Sequence, residues 1–245
     1  MSKKIALVTG GSTGIGAAIA TRLAEDGFQV VITGRNEKTL KTSAGQHAAI
    51  SYVIADVSEP EDVKKTVAYI KDKFGRLDVL VNNAGIAPSL PLEQVTLEHF
   101  DTLFNINVRG LVDMTLNALP LLKKSKGNII NISSVAGDKP MPGILIYSST
   151  KGAVNTLTRG MARELASSGI RVNAVCPGPI ETPIFDKMGL SKKEKAEMAS
   201  NISQTVPMGR FGTADEVAAT VAFLASESAS YITGSLYYID GGYAS

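Results

Sequence analysis

The strongest constraint on the fold is an alternation along the chain between short apolar runs and longer segments with helical periodicity. The runs are mostly apolar and show no regular polar alternation, as in parallel strands that are buried on both faces of a sheet. Seven runs are predicted as strands: Ile5–Val8, Phe28–Thr33, Ser51–Ala55, Leu77–Val81, Asn128–Ile132, Ile170–Val175 and Leu236–Ile239. Strands that alternate with helices predict a doubly wound α/β fold built on a seven-stranded parallel sheet.

The segments between these runs carry apolar residues at the spacing of amphipathic helices. The predicted helices are Ile15–Leu23, Glu61–Phe74, Leu97–Leu122, Tyr147–Ser167 and Asp215–Leu224. Ser58 is the expected N-cap of the second helix, with Pro60 in its first turn. The sequence has no internal linker or repeat, so residues 1–245 are predicted to form a single domain. Long irregular stretches usually carry function, so we expect a lid at about 177–213.

Composition argues against several classes of function. The 25 basic and 23 acidic residues nearly balance without a basic stripe, which predicts no nucleic-acid partner. No stretch approaches a membrane span and no leader is visible, so we expect a cytoplasmic protein with no membrane partner. The two histidines lack metal-ligand spacing, which predicts no metal site. The one cysteine, Cys176, ends an apolar run and is expected to be a buried, inert thiol.

A glycine-rich turn follows the first predicted strand and leads into the first predicted helix. It reads Thr9-Gly10-Gly11-Ser12-Thr13-Gly14-Ile15-Gly16. Glycines let the backbone approach a pyrophosphate closely, and a helix N-terminus offers free N–H groups and partial positive charge. The turn therefore predicts a dinucleotide site. Its glycine spacing differs from the usual fingerprint, and a tight turn without a ligand is the alternative.

The end of the second predicted strand indicates which dinucleotide is preferred. A site for NAD(H) usually has a carboxylate about here, which binds the ribose 2′-hydroxyl group. This chain has Gly34-Arg35-Asn36 instead. The guanidinium of Arg35 is planar and permanently charged, and its paired N–H donors suit a 2′-phosphate group. The sequence therefore predicts NADP(H) in preference to NAD(H), and the alternative is that Arg35 is only a solvated loop residue.

Two further turns at strand ends are predicted to contact the same dinucleotide. Asp56, followed by Val57, comes after the third strand and is placed to accept a hydrogen bond from the adenine amino group. Asn83, Ala84 and Gly85 follow the fourth strand, where small residues would let the chain pass close to the adenine ribose. A turn held by side-chain-to-backbone hydrogen bonds is the other role of these residues, and the two roles are compatible.

A phenol, an amine and a hydroxyl are candidates for proton transfer. Tyr147 and Lys151 are four residues apart on a predicted helix, so their side chains share one face. The ammonium group, together with the positive nicotinamide ring of an oxidised dinucleotide, is expected to lower the pKa of Tyr147 from its usual value near 10. Ser134 follows the fifth strand, at the sheet edge where open α/β proteins bind ligands, and its hydroxyl can donate to a carbonyl oxygen. Asn107, on the long helix, either holds a water beside Lys151 or is a purely structural asparagine.

In this order and spacing the motifs resemble the short-chain dehydrogenase/reductase family over the whole length of the chain. Thr9 to Gly16 is similar to the family's cofactor turn, and residues 82–85 match its Asn-Asn-Ala-Gly motif. The positions of its four catalytic residues correspond to Asn107, Ser134, Tyr147 and Lys151.

The resemblance implies a Rossmann-like fold and hydride transfer between NADP(H) and a carbonyl or alcohol substrate. It implies that Tyr147 is the general acid/base, that Ser134 stabilises the substrate oxygen and that Lys151 binds the nicotinamide ribose. Residues implied to lie near the nicotinamide are Pro177, Gly178, Ile180 and Thr182. Members of the family are usually tetramers, so a homotetramer is the expected assembly.

Substrate choice is expected to depend on residues 138–146 and on the lid. Apolar side chains there favour a hydrophobic ketone or its secondary alcohol as the small-molecule substrate. These residues are Ile144, Leu145, Ile146, Pro179, Ile184, Phe185 and Met188.

The main alternative is a 3-oxoacyl-acyl carrier protein reductase, which the C-terminal half of the chain resembles closely. Well-known enzymes of that kind place docking arginines just before the fifth and sixth strands, where this chain has Ser125 and Ser168. Positive charges nearby come from Lys123, Lys124 and Lys126. A sugar or polyol dehydrogenase is a further alternative, but its substrate would require a more polar pocket than the apolar residues above would form. A non-catalytic NADP-sensing protein is the last alternative, but such a protein would not need intact Ser134, Tyr147 and Lys151.

Overall fold

The computed structural model describes residues 3–182, 197, 200 and 204–244. Within them the strands are β1 (Ile5–Val8), β2 (Gln29–Gly34), β3 (Ile50–Ile54), β4 (Val79–Asn82), β5 (Asn128–Ile132), β6 (Arg171–Pro177) and β7 (Leu236–Ile239). The seven strands form one parallel sheet in the order β3-β2-β1-β4-β5-β6-β7. The predicted doubly wound sheet is therefore confirmed, and β1, β5 and β7 have their predicted bounds.

The helices in the described residues flank this sheet. They are α1 (Gly14–Glu25), α2 (Glu37–Ala44), α3 (Pro60–Phe74), α4 (Leu97–Phe104), α5 (Gly110–Ser125), α6 (Leu145–Leu165) and α7 (Ala214–Ala225). The bounds of α1, α3, α6 and α7 differ from the predicted ones by no more than two residues. No helix in this part of the chain is long and apolar enough to span a membrane.

Three local predictions about the helices were wrong. The sequence analysis omitted α2, a short polar helix in which only Leu40 and Ser43 are buried. The predicted helix from Leu97 to Leu122 is divided by a π-helical segment, Asn105–Arg109, which carries the buried Asn107. The N-cap of α3 is Glu59 rather than Ser58, because the Ser58 N–H and hydroxyl both donate to Asp56 Oδ1.

Each face of the sheet is covered by a hydrophobic core. One core joins α1 and α7 to the sheet, and the other joins α3, α5 and α6 to the opposite face. Strand β1 shows the division, because Ala6 and Val8 belong to the first core while Ile5 and Leu7 belong to the second. Burial on both faces explains why the strand sequences are continuously apolar.

The order of the strands places a cleft at one edge of the sheet. Strand β1 pairs with β2 on one side and with β4 on the other, so the winding of the chain reverses direction between β1 and β4. In open α/β sheets, ligands bind outside the carboxyl ends of the strands at such a switch point. The glycine turn after β1 and the Asn83–Gly85 turn after β4 both lie at this edge.

Candidate active site

The glycine turn after β1 needs its glycines for two physical reasons. Gly10 and Gly14 have φ angles of 64° and 55°, a left-handed conformation that other residues rarely adopt. A β-carbon on Gly16 would lie 2.3 Å from the Gly10 carbonyl oxygen and 2.5 Å from Asn83 Nδ2. The backbone of the turn is therefore packed closely, with no room for a side chain at Gly10 or Gly16.

The turn after β4 supports the glycine turn through Asn83. Its Nδ2 atom donates to the carbonyl oxygens of Thr9 (2.9 Å) and Gly10 (3.1 Å). The backbone N–H groups of Asn83 and Ala84 both donate to Thr9 Oγ1, at 3.0 and 3.1 Å. The structural role expected for these residues is thus present, and their contact with a ribose stays a prediction.

The shape and polarity of this region fit a dinucleotide. Thr13 occupies the N-cap position of α1, and the first turn of the helix, Gly-Ile-Gly-Ala, has no charged side chain to oppose a bound phosphate. A β-carbon on Gly34 would lie 3.3 Å from Ser12 Oγ, which shows that the end of β2 adjoins the turn. The turn and the residues that follow β2 therefore line one continuous surface.

Arg35 and Asp56, which follow β2 and β3, form an ion pair on this surface. Arg35 Nη1 lies 3.5 Å from Asp56 Oδ2, and the Arg35 side chain is 68% exposed. Burial opposes ionisation of Asp56, but hydrogen bonds from Ser58 and the charge of Arg35 hold its pKa below the ordinary value. Both predicted cofactor residues thus lie together, with Arg35 accessible to a ligand and Asp56 ionised.

The candidate catalytic side chains come together at the carboxyl ends of β5 and β6. Ser134 follows β5 and caps the short turn Val135–Gly137, its Oγ accepting a hydrogen bond from Ala136 N (3.1 Å). Ser134 lies close enough to half-buried Tyr147 for its side chain to lower the pKa of the phenol by hydrogen bonding. Lys151 Nζ lies 5.7 Å from the centre of the Tyr147 ring and donates to Ile132 O at 2.8 Å.

The protonation equilibria of this cluster differ from the expected ones. Burial raises the pKa of Tyr147 above its usual value, and the hydrogen bond with Ser134 only partly opposes this rise. Burial lowers the pKa of Lys151 to about 8. In the protein alone the pKa of Tyr147 is therefore raised, and the expected lowering by Lys151 together with an oxidised nicotinamide ring stays a prediction. The physical reason is that a weakly polar environment disfavours both charged forms, the phenolate and the ammonium.

Asn107 connects the π-helical segment to the other parts of the site. Its Oδ1 accepts from Ile86 N (2.9 Å), and its Nδ2 donates to Ile86 O (2.9 Å) and to Thr150 Oγ1 (3.1 Å). A β-carbon on Gly85 would lie 3.2 Å from Asn107 Oδ1 and 3.8 Å from Lys151 Nζ. Asn107 thus fixes the chain after β4 against the helix of Tyr147 and Lys151, and its role in holding a water stays a prediction.

A polar network that the sequence analysis missed lies behind Ser134. Asn155, on α6, accepts a hydrogen bond from Ser133 Oγ (2.6 Å) and donates to Asp138 Oδ1 (3.2 Å). The hydroxyl of Tyr238, on β7, donates to the other oxygen of Asp138. The available signal was the position of Asn155, one helical turn after Lys151 on the same face of α6.

Two other groups near this network complete the catalytic end of the cleft. Cys176 is a fully buried free thiol, as predicted, and burial raises its pKa to about 12. After β6, Ile180 is 4% exposed and Thr182 is half-buried. The backbone around Ile180 is held by two bonds, from Gly212 N to Pro179 O (3.0 Å) and from Glu181 N to Gly212 O (2.9 Å).

Part of the predicted lid lies outside the described residues. This part includes three of the predicted substrate contacts, Ile184, Phe185 and Met188. Of the remaining predicted contacts, Ile144, Ile146 and Pro179 are partly buried and Leu145 is 40% exposed. Among the described residues, no group of three or more His, Cys, Asp or Glu side chains is arranged to hold a metal ion.

Comparisons with known proteins agree on one family over nearly the whole chain. A family model described as enoyl-(acyl carrier protein) reductase matches residues 10–244. The chain is 37% identical to the 3-oxoacyl-[acyl-carrier-protein] reductase of Thermotoga maritima, with 98% of this chain and 97% of that protein covered. It is 39% identical to a diacetyl reductase ((S)-acetoin forming) of Staphylococcus aureus, with 98% of each covered.

A solved structure is also similar to this chain. It is the 3-ketoacyl-(acyl-carrier-protein) reductase of Brucella melitensis complexed with NADH, which superposes with a TM-score of 0.92 at 36% sequence identity. The match covers 99% of this chain and 98% of that one. The similarity in sequence and in structure therefore extends over the sheet, the helices and the candidate active site.

Proposed function

Because the chain belongs to the short-chain dehydrogenase/reductase family, we propose that it reduces the ketone of a 3-oxoacyl thioester to a secondary alcohol with NADPH. The observation that carries the proposal is that Ser134, Tyr147 and Lys151 lie together at the carboxyl edge of the sheet, with Lys151 Nζ 5.7 Å from the centre of the Tyr147 ring. Two of the relatives described above are named as reductases of 3-oxoacyl groups, and they favour this substrate over the free hydrophobic ketone predicted from the sequence.

Each catalytic side chain has a role that follows from its protonation state. The raised pKa of Tyr147 keeps its phenol protonated at neutral pH, so the hydroxyl can give a proton to a ketone oxygen. The Ser134 hydroxyl can donate a hydrogen bond to the same oxygen while negative charge develops on it. With a pKa of about 8, Lys151 remains mostly an ammonium at pH 7 and can donate to ribose hydroxyl groups.

The residues proposed to hold NADPH line the surface from the glycine turn to the catalytic cluster. The glycine turn and the N-terminus of α1 would bind the pyrophosphate. Arg35 would bind the 2′-phosphate, Asp56 and Val57 the adenine, and residues 83–85 the ribose. Pro177, Gly178, Ile180 and Thr182 would border the nicotinamide, within a lid at about 177–213. When bound, this cofactor supplies the hydride.

A panel of substrates tests the proposal with both NADPH and NADH. The panel contains acetoacetyl-CoA, the same acyl group on acyl carrier protein, acetophenone, diacetyl, glucose and crotonyl-CoA. We expect kcat/KM for an acetoacetyl thioester to exceed that for acetophenone by about tenfold or more, a difference of about 1.4 kcal/mol in transition-state binding. Faster turnover of any other compound than of both acetoacetyl thioesters would contradict the proposed substrate.

The second candidate is a reductase of free ketones, and one surface feature favours it. Ser125 and Ser168 stand where arginines would be expected on a surface for the acidic carrier protein, and Ser125 Oγ instead donates to the carbonyl oxygen of Leu77, with that of Leu122 also within reach. The exposed residues Lys123, Lys124 and Lys126 supply positive charge beside it. Equal kcat/KM for acetoacetyl-CoA and its carrier-protein form would mean that this surface does not bind the carrier protein.

We also propose a homotetramer in the cytoplasm. Exposed apolar side chains on α4 and α5 support the assembly: Leu97 is 78% exposed, Leu116 is 59% exposed, and the Phe100 and Phe104 rings stack at 4.3 Å. A single cysteine, buried and unpaired, suits a reducing compartment. Light scattering after size-exclusion chromatography should give the mass of four chains, and a monomer or dimer mass would contradict the tetramer.

A further inference from the structure

One loop connects the two hydroxyl groups of the candidate active site. It runs from Asp138 to Gly143, between the turn that Ser134 caps and the start of α6, and we call these residues the catalytic loop. It begins four residues after Ser134 and ends four residues before Tyr147. Its position therefore influences the shape of the adjoining wall of the cleft.

The C-terminal part of the chain holds the catalytic loop through two tyrosines. At the start of the loop, Asp138 accepts a hydrogen bond from the hydroxyl of Tyr238. At the next residue, Lys139 Nζ donates to the backbone carbonyl oxygen of Tyr243 (2.8 Å). The same nitrogen lies 4.9 Å from the centre of the Tyr243 ring. The Tyr243 hydroxyl also lies 3.0 Å from Met141 Sδ. Tyr243 alone thus contacts two side chains of the loop.

Tyr243 is itself placed by a tight turn. The two carboxylate oxygens of Asp240 accept from Gly242 N (3.0 Å) and Ala244 N (2.8 Å). Gly241 and Gly242 have φ angles of 62° and 87°, which only glycine adopts readily. Because the turn brackets Tyr243 on both sides, the tyrosine is held in place rather than lying in a loose terminus.

The same turn also contacts residues 206–208, in the C-terminal part of the predicted lid. Met208 N donates to Gly241 O at 3.1 Å. A β-carbon on Gly241 would lie 2.8 Å from Val206 Cγ1, and one on Gly242 would lie 3.1 Å from Pro207 Cγ. The C-terminal turn therefore joins the catalytic loop to the segment 206–208, which lies in the C-terminal part of the predicted lid.

We propose that Tyr243 is a positioning residue that sets substrate specificity, because its ring and hydroxyl group contact Lys139 and Met141 of the catalytic loop. This inference rests on the proposed function for its substrate, a 3-oxoacyl thioester. Tyr243 acts through the loop rather than on the reacting atoms. Its loss should therefore weaken binding of the acyl substrate and leave NADPH binding, which depends on the other half of the cleft, nearly unchanged.

The test compares Tyr243→Ala and Tyr243→Phe with the control Tyr231→Ala, since Tyr231 is fully exposed and lies outside the site. For Tyr243→Ala we expect KM for acetoacetyl-CoA to rise by about fivefold or more, and kcat and the NADPH Kd to stay within about twofold. Tyr243→Phe keeps the ring beside Lys139 and should give an intermediate KM. The control should match the wild type. An unchanged KM in Tyr243→Ala, or an equal loss of NADPH affinity, would overturn the proposal.

Hydrogen exchange separates failure of this inference from failure of the proposed function. In Tyr243→Ala, amides of the catalytic loop should exchange faster than in the wild type, while amides of β1 and α1 should not change. This measurement needs no substrate. If the wild type reduces no acetoacetyl thioester, the proposed function fails, and the exchange rates alone decide whether Tyr243 positions the loop. Unchanged exchange in the loop would refute that role.

Discussion

The amine nitrogen of Lys151 lies 5.7 Å from the centre of the Tyr147 ring and donates a 2.8 Å hydrogen bond to the backbone carbonyl of Ile132. Lys151 is only 5% exposed, so the low pKa of its amine and the raised pKa of the phenol have the same cause, which is removal from water. This pair therefore makes stability depend on pH in a way that can be measured.

The first prediction concerns stability in alkaline solution. The pKa of Lys151 is about 8 in the folded protein and has its ordinary value of 10.5 in the unfolded chain, so between these values the unfolded chain binds more protons. The free energy of unfolding therefore rises with pH in this window, and the contribution of Lys151 between pH 7.5 and 9.5 is about 2 kcal/mol. Urea unfolding of the wild type and of Lys151→Met at both pH values measures it.

The comparison with Lys151→Met removes the contributions of other groups. Burial raises the pKa of Cys176 from 9.0 to about 12, so the unfolded thiol loses its proton first and this group destabilises the folded state above about pH 9. That loss occurs in both proteins and cancels in their difference. A difference between the two proteins that does not change from pH 7.5 to 9.5 would mean that Lys151 is not desolvated as the structure indicates.

The second prediction concerns the proton donor. Tyr147→Phe removes the hydroxyl that pairs with Ser134 and leaves the ring packed beside Lys151. We expect ketone reduction to fall by about a thousandfold or more, because proton transfer by a positioned side chain contributes about 10²–10⁴-fold. NADPH binding, measured by fluorescence titration, should change little. Substantial activity in this variant would assign the proton transfer to another group.

The third prediction concerns the choice of cofactor. Arg35→Ala removes an exposed guanidinium next to the turn, and we expect the Kd for NADPH to rise about tenfold or more because a charge-assisted bond to the 2′-phosphate is lost. The Kd for NADH should change much less. Arg22→Ala is the matched control, because Arg22 also forms an exposed ion pair, with Asp26, on α1. Equal weakening of NADPH and NADH would show that Arg35 does not contact a 2′-phosphate.

The fourth prediction concerns the glycine turn. A β-carbon in Gly16→Ala would lie 2.3 Å from Gly10 O, so the turn must shift, and we expect the Kd for NADPH to rise by about tenfold or more. Gly160→Ala is the control, since a β-carbon there meets nothing within 4 Å on α6. The control should keep NADPH affinity and raise stability by about 0.5–1 kcal/mol. Normal NADPH binding by Gly16→Ala would exclude the turn from the cofactor site.

Sequence reasoning recovered the sheet and the grouping of the candidate residues but missed details of the helices. The strands were recognisable because burial on both faces leaves a continuous apolar run, a local property of the chain. Helix α2 was missed because its eight residues have little apolar content, and its main buried contact is Leu40. The π-helical segment at Asn107 was missed because helical periodicity does not distinguish one helix from two that are joined by a bulge.

The candidate site also has a part that local sequence patterns reveal and a part that they do not. Ser134, Tyr147 and Lys151 could be grouped from the sequence because parallel strands end at one edge and residues four apart share a helix face. The links from Tyr238 to Asp138 and from Tyr243 to Met141 join residues about a hundred positions apart, and no local pattern marks them. The raised pKa of Tyr147 in the protein alone could not be predicted, because its charged neighbour was visible in the sequence and its burial was not.

Local patterns along the chain are enough to predict the architecture and the chemical groups available, because strand burial, turn geometry and helix spacing act between near neighbours. Tertiary structure decided which of these groups are desolvated and which distant segments support them. Solvent exclusion at Lys151 and Tyr147, and the contacts that the C-terminal turn makes with the catalytic loop, arise only when the whole chain has packed, since they depend on atoms from several elements at once.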